Sequence, residues 1–400
     1  MRKADKPIVS ENTRPDLELI VHGFSCIKDI HIKFRRITVL IGEQASGKSI
    51  TCKLYYYFTQ AVRRVALAAL YADKSYEMFV KEARHEFVSI FPETAWQHDT
   101  FNIEWKGDEC QVRVWHKRNQ KKLHIDIEGV ERKYEALRSF MRSGPKQELG
   151  AVADYQQFEM RMKFERDVEA RVCALFSCVW ADYIPAGRSF FSTIQDVLFT
   201  LLANNIGIDY FLKEFGQKLE AYRYAYRQKM DIAEFEKLQA EILHGKYYYD
   251  GKEQWIITDE KHKVRLSEAS SGQQEALPLL MVLAGGAFVW TGRNHNKAVV
   301  KTIIVEEPEA HLYPTAQRCI VDYLGNRLAK NQNLGSLITT HSPFILCCIN
   351  NLLNGDAGLR RSMSAYHLYA GLAEPIFNEE FGLIDAVRFD DVSSMIANEG

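Results

Sequence analysis

The sequence predicts an α/β fold in which a parallel β-sheet core is combined with an antiparallel β lobe and a helical lobe. Residues 37–41 form a short β-branched run that a glycine-rich turn and a helical pattern follow. Residues 299–305 form a nearly continuous apolar run, and 337–340 a shorter one, each before a helical pattern, as strands of a parallel sheet do. Residues 100–130 instead alternate polar and apolar side chains, which favours an antiparallel meander.

The composition is that of an ordinary soluble globular protein. The chain has 400 residues, of which 46% are hydrophobic and 26% charged, and its formal net charge is −1. This length favours more than one lobe, and the charge gives no global signal for nucleic-acid binding. No apolar run has the length of a membrane span, no signal peptide is visible, and the scattered cysteines form no C-x-x-C pair. We therefore expect a cytoplasmic protein with reduced thiols and no membrane partner.

The first lobe is expected at residues 17–182, after a flexible arm at residues 1–16. Alternation predicts a hairpin that leads into the strand at 37–41, and helical patterns then continue to Phe91, where Pro92 ends them. The meander and helices over 131–141 and 151–180 complete this lobe. The basic run at 117–122 is either a solvated hairpin tip or a DNA-contacting loop.

The remaining chain is divided into a helical lobe, 183–290, and a return to the core, 291–400. Within the helical lobe, three short strands are expected around 246–249, 253–258 and 263–266. Pro314 is expected to begin a helix after the strand at 299–305. Ligands bind beyond the carboxyl ends of strands in parallel sheets, so the residues that follow these strands are the candidate site.

The pattern G-x-x-x-x-G-K-S at 42–49, between a strand and a helix, predicts a phosphate-binding loop. Its glycines allow successive backbone N–H groups to face phosphate oxygens at a helix N-terminus. Lys48 would reach the β- and γ-phosphates, and the Ser49 hydroxyl would bind Mg²⁺. The residues expected to bind ATP are Gly42, Glu43, Gln44, Ala45, Ser46, Gly47, Lys48, Ser49 and Ile50.

Two acids, Glu306 and Glu307, follow the buried strand at 299–305. Buried carboxylates are unfavourable without a cation, which Mg²⁺ on Ser49 and the phosphates would supply. We assign Glu306 to Mg²⁺ and Glu307 to general-base catalysis; acids at a helix entry are the alternative. His341 ends the neighbouring strand and could donate to the γ-phosphate, although a lone histidine there is more often an ordinary surface residue.

Residues 270–273, Ser270, Ser271, Gly272 and Gln273, resemble a second anion-binding helix start. A helix cap explains them only loosely. Because the chain already has one phosphate loop, a second such feature suggests that two chains meet head to tail, each completing the site of the other.

Four segments together resemble the sequence elements of ABC-type ATPases, a group that includes SMC and recombination proteins. They are the Walker A element at 42–49, the signature at 270–273, the Walker B element at 305–307 and the H-loop at His341. Residues 183–189, 268–275 and 305–314 are similar to a bacterial branch of AAA-family ATPases. That branch includes the ATPase half of OLD nucleases and the ATPases of anti-phage systems such as Septu, PARIS and some retrons.

This resemblance implies an ABC-type P-loop NTPase head with a RecA-like parallel core. It also implies an ATP-sandwich dimer in which Ser270 and Gly272 of one chain contact the γ-phosphate held by Lys48 of the other. Glu307 would activate water, and His341 would steady the γ-phosphate.

Three positions depart from the common pattern. Gln44-Ala45 stands where many relatives have Asn-Gly, Glu306 replaces the commoner Asp, and Arg188 lies where the lobe connection usually supplies a metal-sensing Gln. Arg188 either contacts phosphate or a partner chain or forms a structural salt bridge.

The resemblance implies a nucleotide-gated sensor and scaffold of an anti-phage complex. It would hydrolyse ATP slowly, assemble with itself, respond to a phage-derived trigger and control a separate effector, a nuclease encoded nearby. Only about 60 residues follow His341, too few for an appended nuclease domain, so no intrinsic nuclease is expected. The alternatives are a DNA-repair ATPase that binds DNA directly and a scaffold held together by ATP with little turnover.

Overall fold

The computed structural model describes residues 16–118, 120, 122–144, 155–177, 179–193, 207–227, 233–293 and 300–385. The predicted arm lies outside these residues except for Asp16, as do parts of the basic run, of the helices predicted at 151–180 and within the helical lobe, and of the C-terminal region. Within the described residues, no helix combines the length and the apolar character needed to cross a bilayer.

The strands are β1 (Leu17–Phe24), β2 (Ile27–Phe34), β3 (Ile37–Gly42), β4 (Phe101–Lys106), β5 (Gln111–His116), β6 (His124–Glu128), β7 (Val179–Ile184), β8 (Lys246–Tyr249), β9 (Gln254–Ile257), β10 (Lys263–Arg265), β11 (Val300–Glu306), β12 (Leu334–Thr340), β13 (Met363–Tyr369), β14 (Leu372–Pro375), β15 (Phe377–Asn378) and β16 (Leu383–Ile384). The α-helices are α1 (Lys48–Tyr56), α2 (Val62–Tyr71), α3 (Tyr76–Ile90), α4 (Glu131–Arg142), α5 (Tyr155–Leu175), α6 (Phe190–Thr193), α7 (Tyr210–Arg227), α8 (Ala233–Leu238), α9 (Ser271–Arg293), α10 (Pro314–Lys330), α11 (Pro343–Gly355) and α12 (Ala357–Arg361).

A single large sheet joins the two predicted β regions. In the described part of the chain it has 11 strands in the order β6-β5-β4-β1-β2-β14-β13-β3-β12-β11-β7. Strands β13, β3, β12, β11 and β7 pair in parallel, whereas β6, β5, β4, β1 and β2 form the antiparallel meander. Strand β14 connects the halves, because it pairs antiparallel with β13 and parallel with β2. The predicted α/β class with a parallel core and an antiparallel β lobe is confirmed.

The central strands are buried on both faces because their alternate side chains enter two different hydrophobic clusters. Leu40 and Ile304 join a cluster with residues of helices α1 to α5, while Val39 and Val305 join one with residues of α9, α10 and α11. Side chains of a strand point alternately to its two faces, so an apolar run is required wherever helices cover both. Because β3, β12 and β11 are parallel, their carboxyl ends lie together at one edge of the buried sheet.

Two parallel strands differ from the sequence-based expectation. The helix predicted to reach residue 180 ends at Leu175, and β7 begins at Val179 and pairs in parallel with β11. The apolar residues of this stretch fit either periodicity over a short window, and the pairing with β11 decides between them. Strand β13, which lies in parallel beside β3, was not predicted at all. The lobe boundaries at 182/183 and 290/291 remain a prediction.

Candidate functional site

The phosphate loop connects β3 to α1 at the carboxyl edge of the parallel strands. Close packing explains both of its glycines: a Cβ on Gly42 would lie 2.1 Å from the carbonyl oxygen of Leu368. One on Gly47, whose φ is 103°, would lie 2.8 Å from Cγ1 of Ile27. The loop is therefore confined between the backbone of β13 and the Ile27 side chain at the start of β2.

The exposed part of this loop contains Glu43, Gln44 and Ala45. Ala45 has φ 58°, in the left-handed region that a side chain disfavours by about 1–2 kcal/mol. This is the position at which the sequence departs from the Asn-Gly of many relatives. The departure therefore places a strained residue in the loop.

Lys48 is buried, with 5% of its surface exposed, and its amine lies inside the loop. Nζ donates to the carbonyl oxygens of Gly42 at 2.8 Å and Glu43 at 2.6 Å, and lies 3.3 Å from Oγ of Ser46. A phosphate would compete with these loop acceptors for the same amine. Burial lowers the pKa of Lys48, and the nearby carboxylate of Glu307 opposes that shift.

Glu306, at the end of β11, is almost fully buried, at 4% exposure. Its Oε2 accepts from the Ala186 N–H at 3.2 Å, and its Oε1 has no hydrogen-bond partner among the described residues. Buried carboxylate oxygens require a partner, and Mg²⁺ prefers such hard oxygen ligands. The residues therefore fit the predicted cation.

The predicted ligand on the other side, Ser49, is exposed in the first turn of α1, beside the half-buried Ile50. The buried thiol of Cys52 lies one turn further along α1. Burial raises the pKa of Cys52, and the charge of Glu306 raises it further while that of Lys48 lowers it. The first turns of α1 therefore lie close to the acidic end of β11.

Glu307 and His341 are brought together as the sequence suggested. Nε2 of His341 lies 3.0 Å from Oε1 of Glu307, and their side chains are 30% and 33% exposed. The Glu307 backbone has a left-handed φ of 43°, and its N–H donates to the Thr339 carbonyl at 3.0 Å. The carboxylate is therefore held at a water-accessible point between the ends of β11 and β12.

Glu309 is a third acid at this edge, and no role in the site was predicted for it from the sequence. Its Oε1 accepts from Oγ1 of Thr340 at 2.7 Å and from the backbone N–H of His341 at 2.6 Å. The carboxylate thereby fixes the backbone from which the His341 side chain projects. The Glu-Pro-Glu spacing at 307–309 was the available signal for it.

Residues 270–273 begin helix α9 with a reciprocal cap. The Gln273 N–H donates to Oγ of Ser270 at 3.3 Å, and the Ser270 N–H donates to Oε1 of Gln273 at 3.2 Å, which is a capping box. The helix-cap alternative is thus realised, and both serines remain exposed. Among the described residues, the side-chain hydrogen bonds of Ser270 and Gln273 lead to each other and to Leu243, and none leads to the phosphate loop.

Gly272 allows the start of α9 to approach the chain after β11. A Cβ there would lie 2.8 Å from the carbonyl oxygen of His311. Glycine is therefore a packing requirement at this position, whatever ligand the helix start binds.

Arg188 has no exposed side-chain surface and forms a buried ion pair with Glu275, so the structural salt bridge is the interpretation that fits. Its Nη1 donates to the carbonyl oxygens of Pro185 at 2.9 Å and Glu306 at 2.6 Å, and Nη2 donates to that of Glu307 at 3.0 Å. Nη2 also lies 3.6 Å from Oε1 of Glu275. Burial lowers the pKa of Arg188, and the Glu275 carboxylate opposes this. The alternative, contact with phosphate or a partner chain, does not fit a guanidinium enclosed in this way.

Residues 189–346 match the family described as AAA ATPase domain. The match covers less than half of the chain, and the matched segment includes 270–273, Glu306, Glu307 and His341. No match to this chain is found among the curated proteins.

Among solved structures, the chain is similar to an SMC head bound to the C-winged helix domain of ScpA, with 13% identity over 91% of this chain and 97% of that chain and a TM-score of 0.43. It is also similar to the SMC head domain from Thermotoga maritima, with 12% identity over 91% and 98% and a TM-score of 0.38. A third similar structure is that of the recombination mediator protein RecF, with 13% identity over 91% of this chain and 98% of that chain and a TM-score of 0.36.

Proposed function

We propose that the chain binds MgATP at residues 42–50 and hydrolyses it with Glu307 as the general base. The observation that carries this proposal is the Glu307–His341 contact at the carboxyl edge of the sheet, where the charge of Glu307 also acts on Lys48. A carboxylate in this position would accept a proton from the attacking water, and the His341 side chain would orient that carboxylate and face the γ-phosphate.

The other residues of the site would bind and position the substrate. Phosphate oxygens would replace the loop carbonyls as acceptors for the Lys48 amine, and the backbone N–H groups at the start of α1 would add donors. Ser49 and Glu306 would hold the Mg²⁺ that accompanies ATP, and the ion would supply charge neutralisation to the phosphates. Glu309 would hold the His341 backbone in place.

We further propose that a second copy supplies Ser270, Ser271, Gly272 and Gln273 to the γ-phosphate. The exposed serines at a helix start support this role, since such N-termini favour anions. Two exposed aromatic residues, Tyr313 at 75% and Phe344 at 57%, flank the ends of β11 and β12 on the chain. A second copy would cover them, so the site and its apolar surroundings favour a head-to-tail dimer.

The biological proposal is a nucleotide-gated sensor and scaffold that controls a separate effector in anti-phage defence. It is supported by the resemblance of residues 183–189 and 268–275 to ATPases of such systems. A gene for an effector beside this one, and loss of phage protection on replacing Glu307, would support it. Protection that persists in a Glu307→Gln strain would contradict a hydrolysis-dependent switch and favour an ATP-held scaffold.

The direct test compares ATP binding with turnover in Glu307→Gln and Lys48→Ala. Glu307→Gln is expected to retain ATP binding while kcat falls about 100-fold or more, since only the base is lost. Lys48→Ala is expected to lose binding. Glu128→Gln, an exposed acid of β6 far from the site along the sheet, is the matched control and should match the wild type. Full turnover by Glu307→Gln would overturn the proposal.

A further inference from the structure

Arg188 and Glu275 lie where three elements meet: the loop after β7, the end of β11 and the first turns of α9. Their side chains are 0% and 3% exposed. Buried ion pairs are unfavourable unless additional hydrogen bonds satisfy both groups. In this protein the additional hydrogen bonds of both side chains all go to backbone groups near the carboxyl edge of the sheet. The pair therefore fixes the position of the backbone at two places in the proposed site.

The first consequence concerns Glu307. Its left-handed backbone is strained for a residue with a side chain, and such strain persists only where surrounding structure determines it. The Arg188 guanidinium donates to the carbonyls of Glu306 and Glu307, the two carbonyls that flank the Cα of Glu307. Because it holds both carbonyls, Arg188 fixes the direction in which the Glu307 side chain leaves the strand.

The second consequence concerns helix α9. The Glu275 carboxylate accepts from the backbone N–H of Arg188 at 3.2 Å and from that of Ser189. Nearby, Oγ of Ser192 donates to the Gln274 carbonyl at 2.8 Å. Glu275 follows the capping box of residues 270–273 by only two positions, so the start of α9 is connected to Glu307 through two side chains.

We propose that this pair, the Arg188–Glu275 clamp, is a positioning device that couples the placement of the general base Glu307 to the placement of residues 270–273. This inference deepens the proposed function and rests on it, because its output is ATP turnover. Arg188 and Glu275 would contact neither ATP nor the attacking water. When α9 of one chain moves onto the nucleotide bound by a second copy, the clamp would transmit that movement to Glu307 of the chain that contains α9.

The test uses the full chain and the double variant Arg188→Met, Glu275→Leu. The single variant Arg188→Met would leave a buried, uncompensated carboxylate and endanger folding, whereas removal of both charges avoids this. The double variant is expected to fold and to keep its affinity for ATP, because the residues 42–50 are untouched. Its kcat is expected to fall about 10- to 100-fold, the usual effect of a misplaced catalytic group. Arg188→Lys keeps the charge without the two-carbonyl fork and should give an intermediate kcat.

Asp182→Asn provides the matched control. Asp182, which is half-buried, forms two ion contacts, with Lys218 at 2.7 Å and Lys301 at 2.6 Å, on the same strand that precedes Arg188. Its loss should lower the thermal stability and leave kcat of the folded protein at the wild-type value. If the double variant loses ATP affinity and stability together with kcat, the pair is only structural and the inference is overturned.

The remaining outcomes separate the inference from its premise. A double variant that hydrolyses ATP at the wild-type rate overturns the clamp and leaves the proposed function intact. A wild-type protein that binds ATP without hydrolysing it overturns both. A selective loss of kcat, partly recovered in Arg188→Lys and absent in Asp182→Asn, supports the clamp.

Discussion

Ala45 shows how a single residue sets the energy of the phosphate loop. Its φ of 58° suits glycine, and its own side chain is exposed, so nothing in the core demands an alanine there. A strained residue in such a loop raises the free energy of the folded state. The strained residue lies in the segment whose carbonyls accept from the Lys48 amine, the segment that would rearrange under the proposed binding of phosphate.

We therefore predict that Ala45→Gly stabilises the protein. Relief of the left-handed strain should exceed the greater freedom that glycine gives the unfolded chain, for a net gain of about 0.5–1 kcal/mol in the free energy of unfolding. Denaturant titration measures it. Ala68→Gly, at an exposed position within α2, is the matched control and should destabilise by about 1 kcal/mol. Equal destabilisation by both variants would disprove the strain.

The proposed phosphate-binding residues could be recognised in the sequence, because the 42–49 motif and the acids after a buried run are local signals. The Arg188–Glu275 pair could not be predicted in this way. Its partners are 87 positions apart, and nothing near either residue indicates that both are buried. The Glu307–His341 contact was suggested only because two neighbouring parallel strands bring their ends together.

At the level of elements, helix α9 approaches the chain after β11 as closely as glycine allows. Gly272→Ala would place a Cβ 2.8 Å from the His311 carbonyl and move the helix start by a few tenths of an ångström. We predict about a 10-fold lower kcat from misplacement of residues 270–273. ATP affinity of the phosphate loop should not change.

Steady-state turnover and equilibrium nucleotide binding separate these two effects. Gly355→Ala is the control, since a Cβ at the end of α11 would meet no atom within 4 Å. Wild-type turnover in Gly272→Ala would show that the approach to His311 has no part in catalysis.

Strand β7 is attached to its neighbours by Asp182, which contacts Lys301 of β11 and Lys218 of α7. Burial alone would raise the pKa of Asp182, but the two lysines outweigh it and hold that pKa well below its usual range. The folded state therefore favours the ionised form. Its contribution to stability is present above the unfolded-state pKa of about 4 and is lost as the pH falls below it.

We predict that the stability difference between wild type and Asp182→Asn is constant near neutral pH and shrinks as the pH falls below about 4. Unfolding titrations across this range measure it. A difference that stays constant into the acid range would mean that the lysines do not hold the carboxylate ionised.

Strand β7 also shows where sequence periodicity fails to predict secondary structure. Val179, Ala181 and Tyr183 alternate as a strand should, but the segment follows α5 after a gap too short to mark a boundary. Its identity as a strand comes from pairing with β11, more than 100 positions later. Strand β13 was missed for the same reason, since its place beside β3 is a non-local fact.

At the scale of the whole molecule, the proposed site consists of two regions of the chain. Among the described residues, no side-chain hydrogen bond of Ser270 or Gln273 connects the second region to the first. Lys48, Glu307 and His341 lie at the carboxyl edge of β3, β11 and β12, while Ser270 begins a helix whose capping bonds are satisfied locally. The exposure of both serines is what the proposed site, completed in trans, requires. A site shared between two chains also predicts that two inactive variants can restore turnover when mixed, which a site built by one chain does not predict.

Lys48→Ala and Ser270→Arg should each abolish turnover as purified proteins. In a mixed dimer the two defects fall on the same composite site, and the other site combines a wild-type Lys48 with a wild-type Ser270. After equal mixing, about half of the dimers are mixed and each has one intact site, so turnover should recover to about a quarter of the wild-type value. Mixing Lys48→Ala with Glu307→Gln is the control: both defects affect the same half-site, so every site is defective and no activity should return. Recovery in the control, or none in the test pair once exchange of subunits is verified by mass, would show that each chain builds its site alone.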